Sequence, residues 1–291
     1  RFSLEGIMTS IAIVVDTDAS LPPVLAERYG IRQVPINVHF GDEAFQTGVD
    51  IDDKPLVARI RRDGALPTTS APTPGQFATA YEEAFAAGAE ALVCFCVSSE
   101  VSATYTAAVQ ACQLFEGRSI NVVDSRTISM GQGYMALEAA VRAQEGASVE
   151  EIVAAAEDVR ERTSLYAALD TLKYLAMSGR VGHLAAGMAS LLSIKPVLTL
   201  QEGKLDMLEK VRTRRKAWAR VVALTAASLG GKPVEKMAIL HVDAEEAAGA
   251  FEQQLRDEIA CPDVITIAPF TAGLSVHTGP GMVGGVAVAG A

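Results

Sequence analysis

Three short, uncharged, β-rich runs each end in a polar cluster and lead into a helix-like segment. This pattern constrains the fold more than any other feature of the chain. Residues 11–15 end at Asp16-Thr17-Asp18-Ala19-Ser20, residues 91–97 at Ser98-Ser99-Glu100-Val101-Ser102, and residues 120–123 at Asp124-Ser125. Runs this short and this apolar read as buried strands. Helical patterns occupy residues 74–87, 104–115 and 129–143, and residues 34–40 read as a further strand. Strands alternating with helices predict a parallel sheet covered on both faces. Ser20, before Leu21-Pro22-Pro23, reads as a helix N-cap, and Thr73 as the cap of the helix opening at Pro74.

The character changes after an amphipathic helix over residues 148–161. Val149, Ile152, Val153, Ala156 and Val159 recur at helical spacing, and Ser148 with Glu151 forms a capping box. Residues 164–169 read as a strand and residues 171–177 as a short helix stopped at Ser178-Gly179. Residues 197–200 and 204–208 flank Gln201-Glu202-Gly203, a hairpin signal that brings in antiparallel pairing. A helix over 214–229 and strands over 237–242, 264–268 and 285–289 complete the chain. The expected class is α/β with two α/β domains: residues 9–163 around a parallel sheet, and residues 164–291 around a mixed sheet with helices.

Composition narrows the function classes. Of the 291 residues, 49% are hydrophobic and 21% charged, which supports a large core. A net charge of −10 argues against nucleic acid as a partner, because duplex binding needs a basic face. No stretch approaches the roughly 20 apolar residues of a membrane span, so no stable membrane insertion is expected. Residues 1–7 lack periodicity and precede Met8; they read as an expression remnant, and the expected compartment is the cytoplasm. Cys94 and Cys96 lie on one face of a strand, a pattern of reduced core thiols. No zinc spacing occurs, and no metal is expected.

Several motifs bear on chemistry. Thr69 and Ser70, in Pro67-Thr68-Thr69-Ser70-Ala71-Pro72, and Ser98, Ser99 and Ser102 suit a small oxyanion such as a carboxylate or phosphate. The serines follow a buried strand, where α/β folds bind ligands. Turn and cap chemistry accounts for the same residues equally well. Arg180, between Gly179 and Gly182, reads as an anion clamp or as a solvated arginine after a helix stop. His277, in His277-Thr278-Gly279-Pro280-Gly281, reads as structural or as a group at a close backbone approach. The run Lys210-Val211-Arg212-Thr213-Arg214-Arg215-Lys216 is a solvated helix start or a docking patch for an acidic partner. The G-x-S-x-G elbow and the P-loop pattern are missing, the first strand lacks G-x-G-x-x-G, and Gly131-Gln132-Gly133 alone is weak, so hydrolase and dinucleotide signatures find little support.

Together these stretches resemble the DegV family of bacterial fatty-acid-binding proteins, from about residue 11 to residue 284. The resemblance rests on Val15-Asp16-Thr17-Asp18-Ala19-Ser20-Leu21-Pro22, Thr69-Ser70-Ala71-Pro72-Thr73-Pro74-Gly75 and Ser98-Ser99-Glu100-Val101-Ser102-Ala103-Thr104-Tyr105. It continues through Asp124-Ser125-Arg126-Thr127-Ile128-Ser129-Met130-Gly131-Gln132-Gly133, Leu172-Lys173-Tyr174-Leu175, Gly179-Arg180-Val181-Gly182, Ile194-Lys195-Pro196-Val197-Leu198 and His277-Thr278-Gly279-Pro280-Gly281.

The resemblance implies two α/β domains and a buried long-chain fatty acid as ligand, with no cofactor and no catalytic residue. Thr69, Ser70, Ser98 and Ser99 are its expected carboxylate-binding groups, and Arg180 and His277 its head-group or phosphate residues. It also implies presentation of the acid to a partner fatty-acid kinase in phospholipid metabolism, with docking through Arg212, Arg215 and Lys216. Glu100 and Ala103 stand where the family commonly has glycine, and Ala71 where it has glutamine; the Glu100 side chain is expected to point to solvent. The alternative is an acyl or acyl-phosphate hydrolase using Ser98 or Ser99 with His277. A third reading is a regulatory binding module with an acidic surface.

Overall fold

The computed structural model describes residues 10–180 and 194–291, so residues 1–9, and Val181 and Gly182 of the arginine motif, lie outside the described residues. The first sheet is parallel and four-stranded, in the order β2 (Arg32–Val34), β1 (Ile11–Asp16), β6 (Ala91–Cys96), β7 (Ser119–Asp124). Alternation along each strand sorts side chains to two faces. Val14, Leu92, Cys94 and Cys96 meet Phe77, Tyr81, Ala107, Ala108 and Ala111 of α3 (Pro74–Ala86) and α4 (Thr104–Cys112). Ile13, Val15, Val93 and Phe95 face the opposite way, toward α5 (Met130–Gln144) and α6 (Val149–Glu161). Cys94 and Cys96 are fully buried free thiols on one face, Sγ to Sγ 3.9 Å.

The second sheet is mixed and six-stranded. Its order is β10 (Lys204–Val211), β9 (Lys195–Gln201), β8 (Thr163–Ala168), β13 (Val283–Ala289), β11 (Val234–His241), β12 (Thr266–Pro269). One face carries α8 (Arg214–Leu229) and α9 (Glu245–Glu258), packed through Trp218, Val221, Phe251 and Leu255. The other face shares a continuous core with α5, α6 and the first sheet, in which Leu165, Leu198, Leu240 and Val286 join Ile13, Val15 and Phe95. The first turns of α5 are therefore buried on all sides.

A three-stranded antiparallel sheet, β4 (Glu43–Gln46), β3 (Asn37–Phe40), β5 (Thr68–Ser70), links the two halves. Val38, Phe40, Ile51 and Leu56 pack on Ala272 and Val276, joining this sheet and α2 (Asp53–Asp63) to α10 (Ala272–Thr278). The remaining helices are α1 (Pro23–Tyr29) and α7 (Lys173–Met177).

Local sequence chemistry accounts for most boundaries. Thr73 and Ser148 each close a capping box, with Gln76 and Glu151 as the reciprocal partners. The expected strand over 34–40 is split into β2 and β3 at Pro35, which has no N–H for a ladder. Ser20 is not a helix cap. Prolines at positions 22 and 23 remove the two N–H groups that a cap at Ser20 would satisfy. Ser20 instead takes a left-handed conformation, φ 48°, closing a 3-10 turn at Thr17–Ala19, and α1 starts after Pro22. No helix among the described residues is long and apolar enough to cross a membrane.

Candidate functional site

The C-terminal ends of β1 and β6, the end of β5, α7, the β9–β10 hairpin and α10 converge on one cavity of about 160 Å³. Its apolar wall includes Ile36, Ile128, Leu175, Leu200, Leu205 and Leu274, and its polar end Asp18, Thr69, Ser70, Arg180 and His277. The central contact joins residues 208 positions apart: Thr69 Oγ1 lies 2.9 Å from His277 Nε2. Register makes this possible. Thr69 pairs with Val38 in the small sheet, and α10 packs on that sheet through Val276. Ser70 Oγ is 2.9 Å from His39 Nε2.

Arg180 follows α7 in a Schellman arrangement. Gly179 N–H donates to the Ala176 carbonyl at 3.2 Å and Arg180 N–H to the Leu175 carbonyl at 3.1 Å. Gly179, at φ 74°, is the left-handed residue that this helix stop requires. The turn swings the Arg180 guanidinium to the cavity mouth, where Nη1 donates to the Ser178 carbonyl at 2.7 Å.

The serines after β6 divide by role. Ser98 is fully buried, and its hydroxyl donates to the Gly203 carbonyl at 2.8 Å, tying the hairpin tip to the parallel sheet. Ser99 is exposed, and its hydroxyl and N–H both bind the Asp124 carboxylate. Val101, Ser102 and Ala103 form that part of the cavity wall. The pairing a serine hydrolase would use is not made: Ser98 and Ser99 are committed to Gly203 and Asp124, while His277 Nε2 contacts Thr69. Glu100 faces solvent, its carboxylate 3.7 Å from Lys204 Nζ, and Ala71 and Ala103 line the cavity.

Asp18 is a wall residue to which the sequence motifs assigned no role. Its sequence signals are the acidic cluster at the end of the first strand and its place in the Val15–Pro22 stretch of the family resemblance. Thr271 Oγ1 donates to Asp18 Oδ1 at 3.3 Å, and a Cβ on Gly273 would stand 2.5 Å from that oxygen, so only glycine lets the carboxylate lie against α10. Beneath it, Asp16 is fully buried and accepts from Val97 N–H, Gln132 Nε2 and Asp18 N–H. Burial pushes the Asp16 carboxyl up to about 6 against those hydrogen bonds. Burial, and then repulsion by Asp16, hold Asp18 well above the usual carboxylate range. Among the described residues no cluster of three or more His, Cys, Asp or Glu is placed to hold a metal ion.

The profile of the family described as "Uncharacterised protein, DegV family" matches residues 10–290. The chain belongs to the DegV family. It is 39% identical over 274 residues to a DegV domain-containing protein of Streptomyces coelicolor, covering 94% of this chain and 96% of the relative. A structure described as fatty acid binding of a DegV family protein from Thermus thermophilus superposes with a TM-score of 0.89 at 31% identity. That match covers 97% of this chain and 100% of the other. DegV of Bacillus subtilis, described as a fatty acid binding protein, superposes at 0.86 with 29% identity, covering 97% and 100%. The α/β architecture with one parallel and one mixed sheet is that of the DegV structures.

In this DegV chain the basic run lies beside the histidine turn. Arg214, the first residue of α8, binds Asp170 through Nε and Nη2, at 3.2 and 2.5 Å. Asp170 lies directly under Gly281, where an added Cβ would stand 2.7 Å from its Oδ2. Arg212, Arg215 and Lys216 are exposed and make no ion pair among the described residues.

Burial, and secondarily the Arg180 charge, lower the His277 pKa from 6.5 to about 4. The folded imidazole is therefore neutral near neutral pH. As pH falls below 6.5 the unfolded chain takes up a proton that the folded state refuses, so this group's contribution is lost between about 6.5 and 4. Asp16 and Asp18 act in the opposite sense, because their raised values make the folded state gain stability as they protonate. His277→Gln keeps a polar group opposite Thr69 and removes the titration. Relative to the parent, it is expected to gain on the order of 2 kcal/mol between pH 7 and 4.5. Denaturant melts across that range measure it, and parallel pH profiles for the two proteins would refute the assignment.

Proposed function

We propose that the protein is a carrier that takes a long-chain fatty acid into the cavity, tail on the leucine wall and carboxylate at the Thr69–His277–Arg180 end. The observation that carries this reading is the joining of an apolar wall to a polar end in one cavity. Each buried methylene contributes about 0.8 kcal/mol. A buried carboxylate is costly unless hydrogen-bonded and paired, which the Thr69 and Ser70 hydroxyls and the Arg180 guanidinium supply. A carboxyl at Asp18 shifted toward its neutral form repels such a head group less than an ionised one. The Thermus thermophilus and Bacillus subtilis relatives, both described as fatty-acid-binding, support the same ligand class.

The protein presents the bound acid to a fatty-acid kinase subunit and performs no bond chemistry itself. Arg212, Arg215 and Lys216 supply the docking charge, and the link from Arg214 through Asp170 to Gly281 connects that patch to the histidine turn. Native mass spectrometry with organic extraction tests the reading. The expected spectrum carries a mass increment matching a long-chain acid, lost on extraction, and gains one phosphoryl group when ATP and a fatty-acid kinase subunit are added. A protein that stays unliganded after incubation with several fatty acids would overturn the carrier reading; a liganded protein that never gains phosphate would overturn the kinase step alone.

A further inference from the structure

The polar end of the cavity already holds a carboxyl group. Asp18 lies in the wall with Thr69, Ser70, Arg180 and His277, and it is only 7% exposed. The start of α10 positions it: Thr271 Oγ1 donates to Oδ1 at 3.3 Å, and Gly273 carries no Cβ to push that oxygen away. Oδ2 accepts no hydrogen bond among the described residues. A head group that reaches Thr69 and Arg180 in a cavity of about 160 Å³ therefore meets Asp18 as well.

The charges around Asp18 do not balance an added carboxylate. Arg180, after α7, is the one permanent cation among the described lining residues. His277, on α10, is neutral near neutral pH, because burial lowers its pKa to about 4. The end of β5, the segment after β6 and the β9–β10 hairpin bring only uncharged groups to the cavity. Asp16, beneath Asp18, adds a second buried carboxyl. An ionised ligand would thus set three carboxylates against a single guanidinium. Carboxylates crowded into a buried site do not all ionise. One proton shared between two of them replaces repulsion with a short O–H···O⁻ hydrogen bond. Burial, and then the Asp16 charge, already favour the protonated form of Asp18.

We propose that Asp18 and the carboxylate of the bound ligand share one proton, with Asp18 as the donor, so that Asp18 selects head groups able to accept a hydrogen bond at this wall. This rests on the fatty-acid reading above and adds a contact to its head group. Arg180 meets the charge from the cavity mouth and Asp18 meets it from the wall. A proton thereby does the neutralising that a second basic side chain would otherwise do.

Infrared spectra of the loaded protein at about pH 8, above the value of about 6 at Asp16, test the shared proton. Parent protein saturated with palmitic acid is expected to show the carbonyl band of a protonated carboxyl. Asp18→Asn, saturated in the same way, is expected to lack it. Affinity gives the second readout. Asp18→Ala, with no donor, weakens palmitic acid binding about tenfold or more, and Asp18→Asn, which keeps a neutral donor, weakens it less. An ionised Asp18 would act in the opposite sense, since removing its charge would tighten binding. Three results would each overturn the shared proton and leave the fatty-acid reading standing: a loaded parent with no protonated carboxyl, a band that Asp18→Asn leaves in place, or an Asp18→Ala affinity equal to or above the parent's. Thermal melts identify a variant that fails to fold, and the band in the parent is read without any variant. A parent protein that binds no palmitic acid would overturn both this inference and the fatty-acid reading.

Discussion

Gly279→Ala is expected to lower stability by at least about 3 kcal/mol, a fall in melting temperature of about 6 °C or more for a chain of this size. Two costs add. Gly279 holds φ 74° and ψ 169°, a conformation that side-chain-bearing residues avoid. An added Cβ would also stand 2.1 Å from Tyr174 Cδ2. The contact lies between the end of α10, which carries His277, and α7, which leads to Arg180. The same substitution should therefore abolish ligand uptake in whatever fraction remains folded. Adding Tyr174→Ala removes the clash and leaves the backbone strain, so the double variant should recover only part of the loss. Calorimetry on the parent and the two variants decides it: a single variant melting within about 2 °C of the parent would mean that the turn is not the joint described here.

Arg180→Ala is expected to weaken fatty-acid binding about tenfold to a hundredfold, the range for losing a charge-assisted hydrogen bond. Its effect on stability should stay within about 0.5 kcal/mol, because the helix stop uses the Arg180 backbone N–H and the exposed side chain adds only its bond to the Ser178 carbonyl. The discriminating ligand is the fatty alcohol of the same length, which has no charge for the guanidinium to meet. Titrations should show the acid weakened and the alcohol nearly unaffected. Equal losses for both would assign Arg180 a packing role rather than a head-group role. Arg180→Lys should restore part of the acid affinity, since it keeps the charge but not the planar fork.

Much of the scaffold is legible in the sequence. The expected helix over 214–229 has those bounds in the fold, the expected cap formed at Thr73, and the expected capping box formed at Ser148. The hairpin around Gln201-Glu202-Gly203 and the stop at Gly179 also formed where local chemistry placed them. These features depend on neighbours within a few residues. Ser20 fails as a cap for an equally local reason, the missing N–H groups of Pro22 and Pro23. The elements α2, β4, α9 and α10 are not among the expected ones, although Leu56, Val57 and Ile60 in α2 and Ala248, Phe251 and Leu255 in α9 recur at helical spacing. Thr68–Ser70 looked like a loop of hydroxyls and is a strand, because β3 offers it a ladder.

The site divides the same way. Thr69, Ser70, Arg180 and His277 were singled out as residue types suited to an anionic head group, and the fold brings them to one cavity. The directions of the other hydroxyls were not readable. Ser98 and Ser99 are adjacent and chemically identical, yet one binds a carbonyl 105 positions away and the other a carboxylate 25 positions away. Asp18 became a wall residue only because Gly273 leaves room for it.

The sequence alone determined the order and type of most elements, their caps and turns, and the groups available to hold an oxyanion, since periodicity and short-range hydrogen bonding act within a few residues. The tertiary structure decided which of those groups share a cavity and which are spent on holding loops. Each of these depends on contacts between segments distant in the chain, and their geometry follows from how the layers pack.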